Sequence, residues 1–217
     1  MDVKILYEDK DIIIIEKLPG MSAEQDKDGD DALTAAKALC GVTCYPVHRL
    51  DKATGGALML AKNRSSAASL SALLSEHKVE KEYLAVVHGA PAPSQGEMTD
   101  LLFYDRSKSK AFVVKRERRG VKEARLSYSL ISCASDNSGH PISLMVIQLH
   151  TGRTHQIRVQ LASRGFPLLG DRKYGSRDGS CTTALWCRRI SFSHPVTGKT
   201  VTVVSDPPDT YPWNRVR

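Results

Sequence analysis

Residues 48–63 read HRLDKATGGALMLAKN, and their local patterns set the frame for the rest of the chain. Taken as a strand end, His48 and Leu50 point one way while Arg49 and Asp51 point the other, because side chains alternate along extended backbone. Gly55 and Gly56 then allow a tight turn and the close approach of a second backbone or a ligand. Residues 56–62 read as a strand. Asn63 is placed to cap a helix whose Leu70, Leu73, Leu74 and His77 share one face.

Towards the N-terminus, ILYEDKDIIIIEKLPG (residues 5–20) holds an isoleucine run bounded by charges and closed by Pro-Gly, which predicts a buried strand ending in a turn. An acidic Gly/Asp loop follows, then a helix from Asp31 to Leu39 capped by Asp30 or Asp31. Towards the C-terminus strands dominate. Residues 82–88, 124–132 and 142–150 suggest a sheet with one buried face. The intervening 90–120 is rich in Pro, Gly and cations and is expected to be an exposed excursion. Thr154 can cap a helix running to about Arg164, with Gly165 ending it. Two last strands, near 184–193 and 199–204, flank a Pro-Val-Thr-Gly turn. Few helices, no strict βαβ alternation and no internal repeats predict an α+β fold. The expectation is one domain over 1–217, built on a large mixed, mainly antiparallel sheet with flanking helices.

The 217 residues carry a net charge of +7, distributed unevenly. Residues 1–31 hold ten acids and four lysines, a net of −6, which leaves +13 on the remainder. Residues 106–125 alone carry nine cations against Glu117 and Glu123. A basic body with such a concentrated patch attracts polyanions, although charge alone leaves RNA, DNA and acidic partners open. No stretch approaches the ~20 apolar residues that span a bilayer, so no membrane association is expected. The acidic N-terminus lacks a signal-peptide pattern, which makes the cytoplasm the expected compartment. The five cysteines are scattered without a zinc-ribbon spacing and read as reduced thiols.

Asp51 sits among Arg49, Lys52 and His48, whose positive charge should keep its carboxylate ionised. On a cleft-facing turn such a group acts as nucleophile or general base; an ordinary structural Asp–Arg pair is the other reading. A second segment, LHTGRTHQIRVQLASRGFPLLGDRKYG (149–175), places His155, Arg158 and Ala162 on one helix face. Arg158 then stands where a guanidinium can pair with a buried carboxylate. Arg153, at the helix start, lies beside backbone N–H groups that suit phosphate. His150 and His155 lack acidic or cysteine partners at useful spacing, so no metal is expected. In KEYLAVVHG (81–89), Tyr83 is either a core aromatic or a ring offered to a nucleobase with its hydroxyl near a proton.

In this order and spacing the three segments resemble the RluA family of pseudouridine synthases. That family reads H-R-L-D-x-x-T-S-G, then K-x-Y, then G-R-[ST]-H-Q-[IL]-R and G-x-P-[IL]-x-G-D-x-x-Y. The matching residues are 48–56, Lys81–Tyr83, Gly152–Arg158 and Gly165–Tyr174, and the likeness extends from Leu6 to about Val203. It implies a catalytic domain with a central cleft, in which Asp51 is the catalytic aspartate and Tyr83 packs against the target base. Arg158 would form the salt bridge that positions Asp51, and Leu185 would lie beneath the site. Arg49 is placed to fill the gap left by a flipped base. His48, Arg153 and His155 join these as substrate-binding candidates, and Lys115, Arg116, Arg118 and Arg119 as the RNA-backbone patch.

Three departures from the pattern stand out. Gly55 replaces the usual Ser, Trp186-Cys187 stands where L-H-A continues, and Glu16-Lys17-Leu18-Pro19-Gly20 replaces N-K-P-A-G. Isomerising uridine involves no net oxidation or hydrolysis, so no cofactor is expected. The chain is expected to act as a monomer without an obligate protein partner, and to start directly with its catalytic domain. The expected partner is RNA: large-subunit ribosomal RNA, with transfer RNA as the alternative. A non-catalytic RNA-binding protein is a further reading, needing the basic patch but not Asp51, Tyr83 and Arg158. A carboxylate glycosidase would require a second catalytic carboxylate, for which Asp171 is the candidate.

Overall fold

The computed structural model describes residues 3–27 and 29–216; Asp2 and Asp28 of the acidic segment lie outside them. In chain order the elements are β1 (Ile5–Glu8), β2 (Ile12–Lys17), α1 (Ala32–Cys40), β3 (Tyr45–Pro46), β4 (Gly55–Ala61) and α2 (Arg64–Ser75). There follow β5 (Glu80–His88), β6 (Gln95–Asp105), β7 (Lys110–Val114), β8 (Val121–Ser135), β9 (Pro141–Leu149) and α3 (Gln156–Ala162). A 3-10 turn (Arg172–Tyr174), β10 (Leu185–Ser193), β11 (Thr200–Val204) and α4 (Trp213–Val216) complete the chain. The strands form a mixed, mainly antiparallel sheet, as the α+β expectation required. No helix among the described residues is long and apolar enough to cross a membrane.

The chain divides into two compact units. The first comprises 1–82 and 186–207, with strand order β1-β2-β4-β10, β3 on β4 and β11 on β10. Ile12–Ile15 and all of β4 are buried, and β2 pairs antiparallel with β4 from Ile12↔Ala61 to Lys17↔Gly56. A strand covered on both faces needs an unbroken apolar run, which is why the isoleucines stand together. The β10–β4 pairing is parallel, with Trp186 beside Gly55 and Cys187 beside Gly56. Asp31 caps α1 by accepting from the Thr34 N–H, and Asn63 caps α2 by accepting from Ser66. Within α2 only the start of the expected face is core: Leu70 is buried, whereas His77 lies beyond the helix in a left-handed conformation.

The second unit comprises 83–185 and 208–217, with strand order β5-β9-β8-β6-β7. Two expectations are corrected here. Residues 90–120 are not simply an exposed excursion, because β6 and β7 occupy much of them and β6 pairs with β8 from Gln95↔Ser129 to Phe103↔Val121. Met98, Leu102 and Ala111 are buried, while Asp100 is neutralised by Arg164 at 2.8 Å. Helix α3 starts two residues after Thr154, with left-handed His155 preceding it and no side-chain cap from either residue. Instead, the Gln156 amide oxygen accepts from the Thr151 hydroxyl (2.8 Å) and the Arg153 N–H (3.0 Å). Gly165, at φ +85°, ends the segment as expected.

Candidate active site

Within the first unit the Asp51 turn is fixed from below. Asp51 O accepts from the Thr54 N–H at 2.9 Å, closing the turn that delivers the chain into β4. Beneath it lies Lys17, fully buried, a residue that reading the sequence did not single out. Its ammonium donates to the carbonyls of Met21 (2.8 Å), Leu18 (3.0 Å) and Lys52 (3.3 Å). The Gly20 N–H also donates to Lys52 O, at 2.7 Å, so two donors hold the peptide that follows Asp51. Desolvation pulls the Lys17 pKa down to about 8, opposed by the negative charge of Asp51 and aided by Lys52. A lysine reads as surface by type. The available signal was position, since Lys17 follows Ile13 and Ile15 at alternate places of a buried strand.

His48 is half-buried and accepts the Met59 N–H on Nε2 at 3.0 Å, so its neutral form carries the proton on Nδ1. Burial, reinforced by Lys81, pushes its pKa down to about 3. Burial also lowers Lys81. His48 and Lys81 therefore share an electrostatic neighbourhood. Arg49 is exposed and its Nη1 lies 2.8 Å from Glu24 on the loop before α1. That pair, open to water, contributes little stability and can be exchanged for a phosphate or base.

Within the second unit Arg158 donates from Nε and Nη2 to the two oxygens of Asp171, at 2.7 and 2.8 Å, with both side chains buried. The guanidinium also lies 5.1 Å from the centre of the Tyr174 ring. The Tyr174 hydroxyl receives the Ala111 N–H (2.8 Å) and shares a hydrogen bond with His155 Nδ1 (2.9 Å). The His155 ring meets Tyr104 and Tyr174 edge-on. His155 and Arg158 thus converge on Tyr174, although His155 precedes the helix instead of sharing its face. Asp171 is committed to Arg158, which removes it as the second carboxylate of a glycosidase. Tyr83 is buried on β5 and Leu185 is buried at the start of β10. Arg153 donates from Nε to Glu123 O at 2.8 Å, and its N–H is taken by Gln156. At that helix start the Arg153 N–H is thus already engaged within the chain.

Lys115, Arg116, Arg118 and Arg119 are all exposed between β7 and β8. Phe103 and Phe112 are register partners across β6 and β7. Arg118 stacks 4.5 Å over Phe103, while Lys108 and Lys110 each lie 5.8 Å from the centre of Phe112. Cations held over half-buried aromatic rings suit an anionic, base-bearing polymer.

Asp9, Asp11 and His194 bring possible metal-ligand atoms within 4.8 Å of one another. The histidine tautomer opposes that use. Nδ1 accepts the Val196 and Thr197 N–H groups, both at 3.2 Å, which leaves the proton on Nε2, 2.9 Å from Asp9. A metal on Nε2 would turn an Nδ1–H against two N–H donors.

Residues 11–163 match the family described as RNA pseudouridylate synthase. An uncharacterized RNA pseudouridine synthase of Haemophilus influenzae is 37% identical over 177 residues, covering 81% of this chain and 75% of that protein. The ribosomal large subunit pseudouridine synthase C of Buchnera aphidicola is 32% identical, covering 95% and 68% respectively. The tRNA pseudouridine synthase C of Haemophilus ducreyi is 31% identical, covering 94% and 90%. In fold, the human RNA pseudouridylate synthase domain containing 1 superposes with a TM-score of 0.81 at 22% identity, covering 96% of this chain and 85% of that one.

Proposed function

The chain belongs to the RNA pseudouridylate synthase family, and on that premise we propose that it isomerises a loop or bulge uridine of large-subunit ribosomal RNA with Asp51 as the catalytic carboxylate. The reaction breaks the bond from N1 of uracil to C1′ of ribose, turns the base, and joins C5 to C1′. A proton leaves C5 and N1 ends protonated, so atoms and electrons balance within the substrate and its exchangeable protons. Asp51 either adds to C1′ or removes a sugar proton to open an elimination route. Tyr83 packs its ring on the uracil and moves a proton with its hydroxyl. Arg158 is the positioning cation, and Leu185 supplies an apolar floor that keeps water from the freed base. Arg49 fills the stack that the extruded nucleotide leaves, with His48, Arg153 and His155 contacting the flanking RNA. Lys115, Arg116, Arg118 and Arg119 hold the phosphate backbone.

The observation that carries the catalytic reading is the buried Lys17 ammonium, which binds the Lys52 carbonyl next to Asp51 and senses the Asp51 charge. A turn so anchored presents its carboxylate without reorganisation. The ribosomal assignment is supported by the relative named for the large ribosomal subunit and by flipping cost, which is lowest for unpaired uridines. The relative named for transfer RNA makes that RNA the second reading. The enzyme is taken to be a cytoplasmic monomer. Purified enzyme incubated with each RNA class from a deletion strain, with sites mapped by carbodiimide-blocked primer extension, tests the target. Gain of a site in large-subunit RNA that the deletion strain lacks supports the proposal. Gain in transfer RNA alone overturns the ribosomal assignment and leaves the isomerase intact.

A further inference from the structure

Two of the departures from the family pattern meet in space and the third is tied to them. A Cβ on Gly55 would lie 2.5 Å from Trp186 Cε3, closer still to Cζ3, and 3.1 Å from Pro19 Cδ. Gly55 is not in the left-handed region, so its backbone would accept any residue. Space alone demands glycine, and the indole is what occupies that space. Gly56 differs: its φ of +106° and the Cys187 backbone, with N at 2.7 Å from a built Cβ, would require glycine whatever stood at 186.

The indole is also tethered. Trp186 is buried, and its Nε1–H donates to the Ser205 carbonyl at 2.9 Å, with Ser205 Oγ at 3.2 Å. Ser205 in turn donates its hydroxyl to Glu16 Oε2 at 2.9 Å. Glu16 immediately precedes Lys17, the cation that grips the Asp51–Lys52 turn. One chain of contacts therefore runs from Glu16 through Ser205 and Trp186 to Gly55, one residue past the Asp51–Thr54 turn.

We propose that Trp186 is a positioning residue for Asp51, its indole replacing a side chain at residue 55 as the prop under the catalytic turn, with Ser205 and Glu16 fixing the indole. The proposal rests on the reading of Asp51 as the catalytic carboxylate. It makes residues 16, 55 and 186 one coupled unit, in which changing a single member disturbs the turn and a matched pair of changes restores it.

The test is a double-mutant cycle on the full chain with Gly55→Ser, Trp186→His and the two combined, measured by tritium release from C5 of uridine in RNA below each variant's unfolding temperature. Each single change should lower kcat roughly ten-fold or more with KM for RNA nearly unchanged, and the double should recover to within about three-fold of wild type. If the double loses the product of the two single losses, or if the losses fall on KM, the proposal is overturned. Should Gly55→Ser not fold, Trp186→Phe removes both Nε1–H bonds to Ser205 and part of the ring that fills the space at Gly55, without adding bulk. It should lower kcat several-fold with KM held, and unchanged kcat there overturns the proposal equally. Asp51→Asn run in parallel separates the two ideas. If that variant turns over normally, the catalytic reading has failed, whereas coupling between 55 and 186 is still read from unfolding temperatures.

Discussion

Arg158 and Asp171 form a two-pronged buried ion pair, with Nε and Nη2 at 2.7 and 2.8 Å from opposite oxygens of one carboxylate. The pair ties α3 to the loop that leads into the 3-10 turn, and Tyr174 from that turn covers the guanidinium. A planar fork meets a planar carboxylate here, and an ammonium cannot reproduce that fit.

Arg158→Lys is therefore expected to be severely damaging although it keeps the charge. Removing one partner of a buried pair costs about 3–5 kcal/mol, and the lysine substitution should lose a large part of that. Urea unfolding together with single-turnover tritium release measures both effects. Wild-type stability and rate in this variant would show that the forked contact is dispensable.

Lys17 gives a pH signature. Its folded pKa is about 8 against an ordinary 10.5. Below pH 8 both folded and unfolded chains hold the proton, and the cost of burying the charge is fully present. Between about 8 and 10.5 the unfolded chain binds more protons, so stability rises with pH, by roughly 3 kcal/mol at most. Urea unfolding of wild type against Lys17→Met should show that rise only in the wild type. Asp51→Asn removes the charge that supports protonated Lys17, so the rise should begin at lower pH. Parallel pH profiles for wild type and Lys17→Met would contradict this.

Reversing the charges at Arg116, Arg118 and Arg119 should weaken RNA binding and flatten its salt dependence. Each lost phosphate contact removes roughly 0.7 from the log–log slope for single-stranded RNA. Turnover at saturating RNA should hold. A collapse of kcat with unchanged affinity would mean that this turn builds the reacting site.

The sequence made legible those parts of the molecule where one force dominates. Ile12–Ile15 and Leu58–Leu60 are apolar and lie fully buried in strands, while Asp31 and Asn63 cap helices by side chain, a local interaction. What escaped depended on distant partners. β6 carries Glu97 and Asp100 among its apolar residues, and Arg164, far along the chain, makes Asp100 tolerable there. Gln156, not Thr154, satisfies the donors ahead of α3, which moves its start. Lys17 is buried because three carbonyls converge on it, and no local pattern announces that convergence. Gly55 and Trp186 looked like separate oddities and explain each other only once β4 and β10 lie side by side.

The proposed role of Asp51 is tested most directly by Asp51→Asn, which changes charge and nucleophilicity at nearly constant volume. Single-turnover tritium release from RNA should be measured beside equilibrium RNA binding on the same preparation. With Asp51 as the catalytic carboxylate, the rate should fall by roughly three powers of ten or more, with affinity within about two-fold of wild type. Activity above about one percent of wild type, in a folded variant that binds RNA normally, would contradict that role.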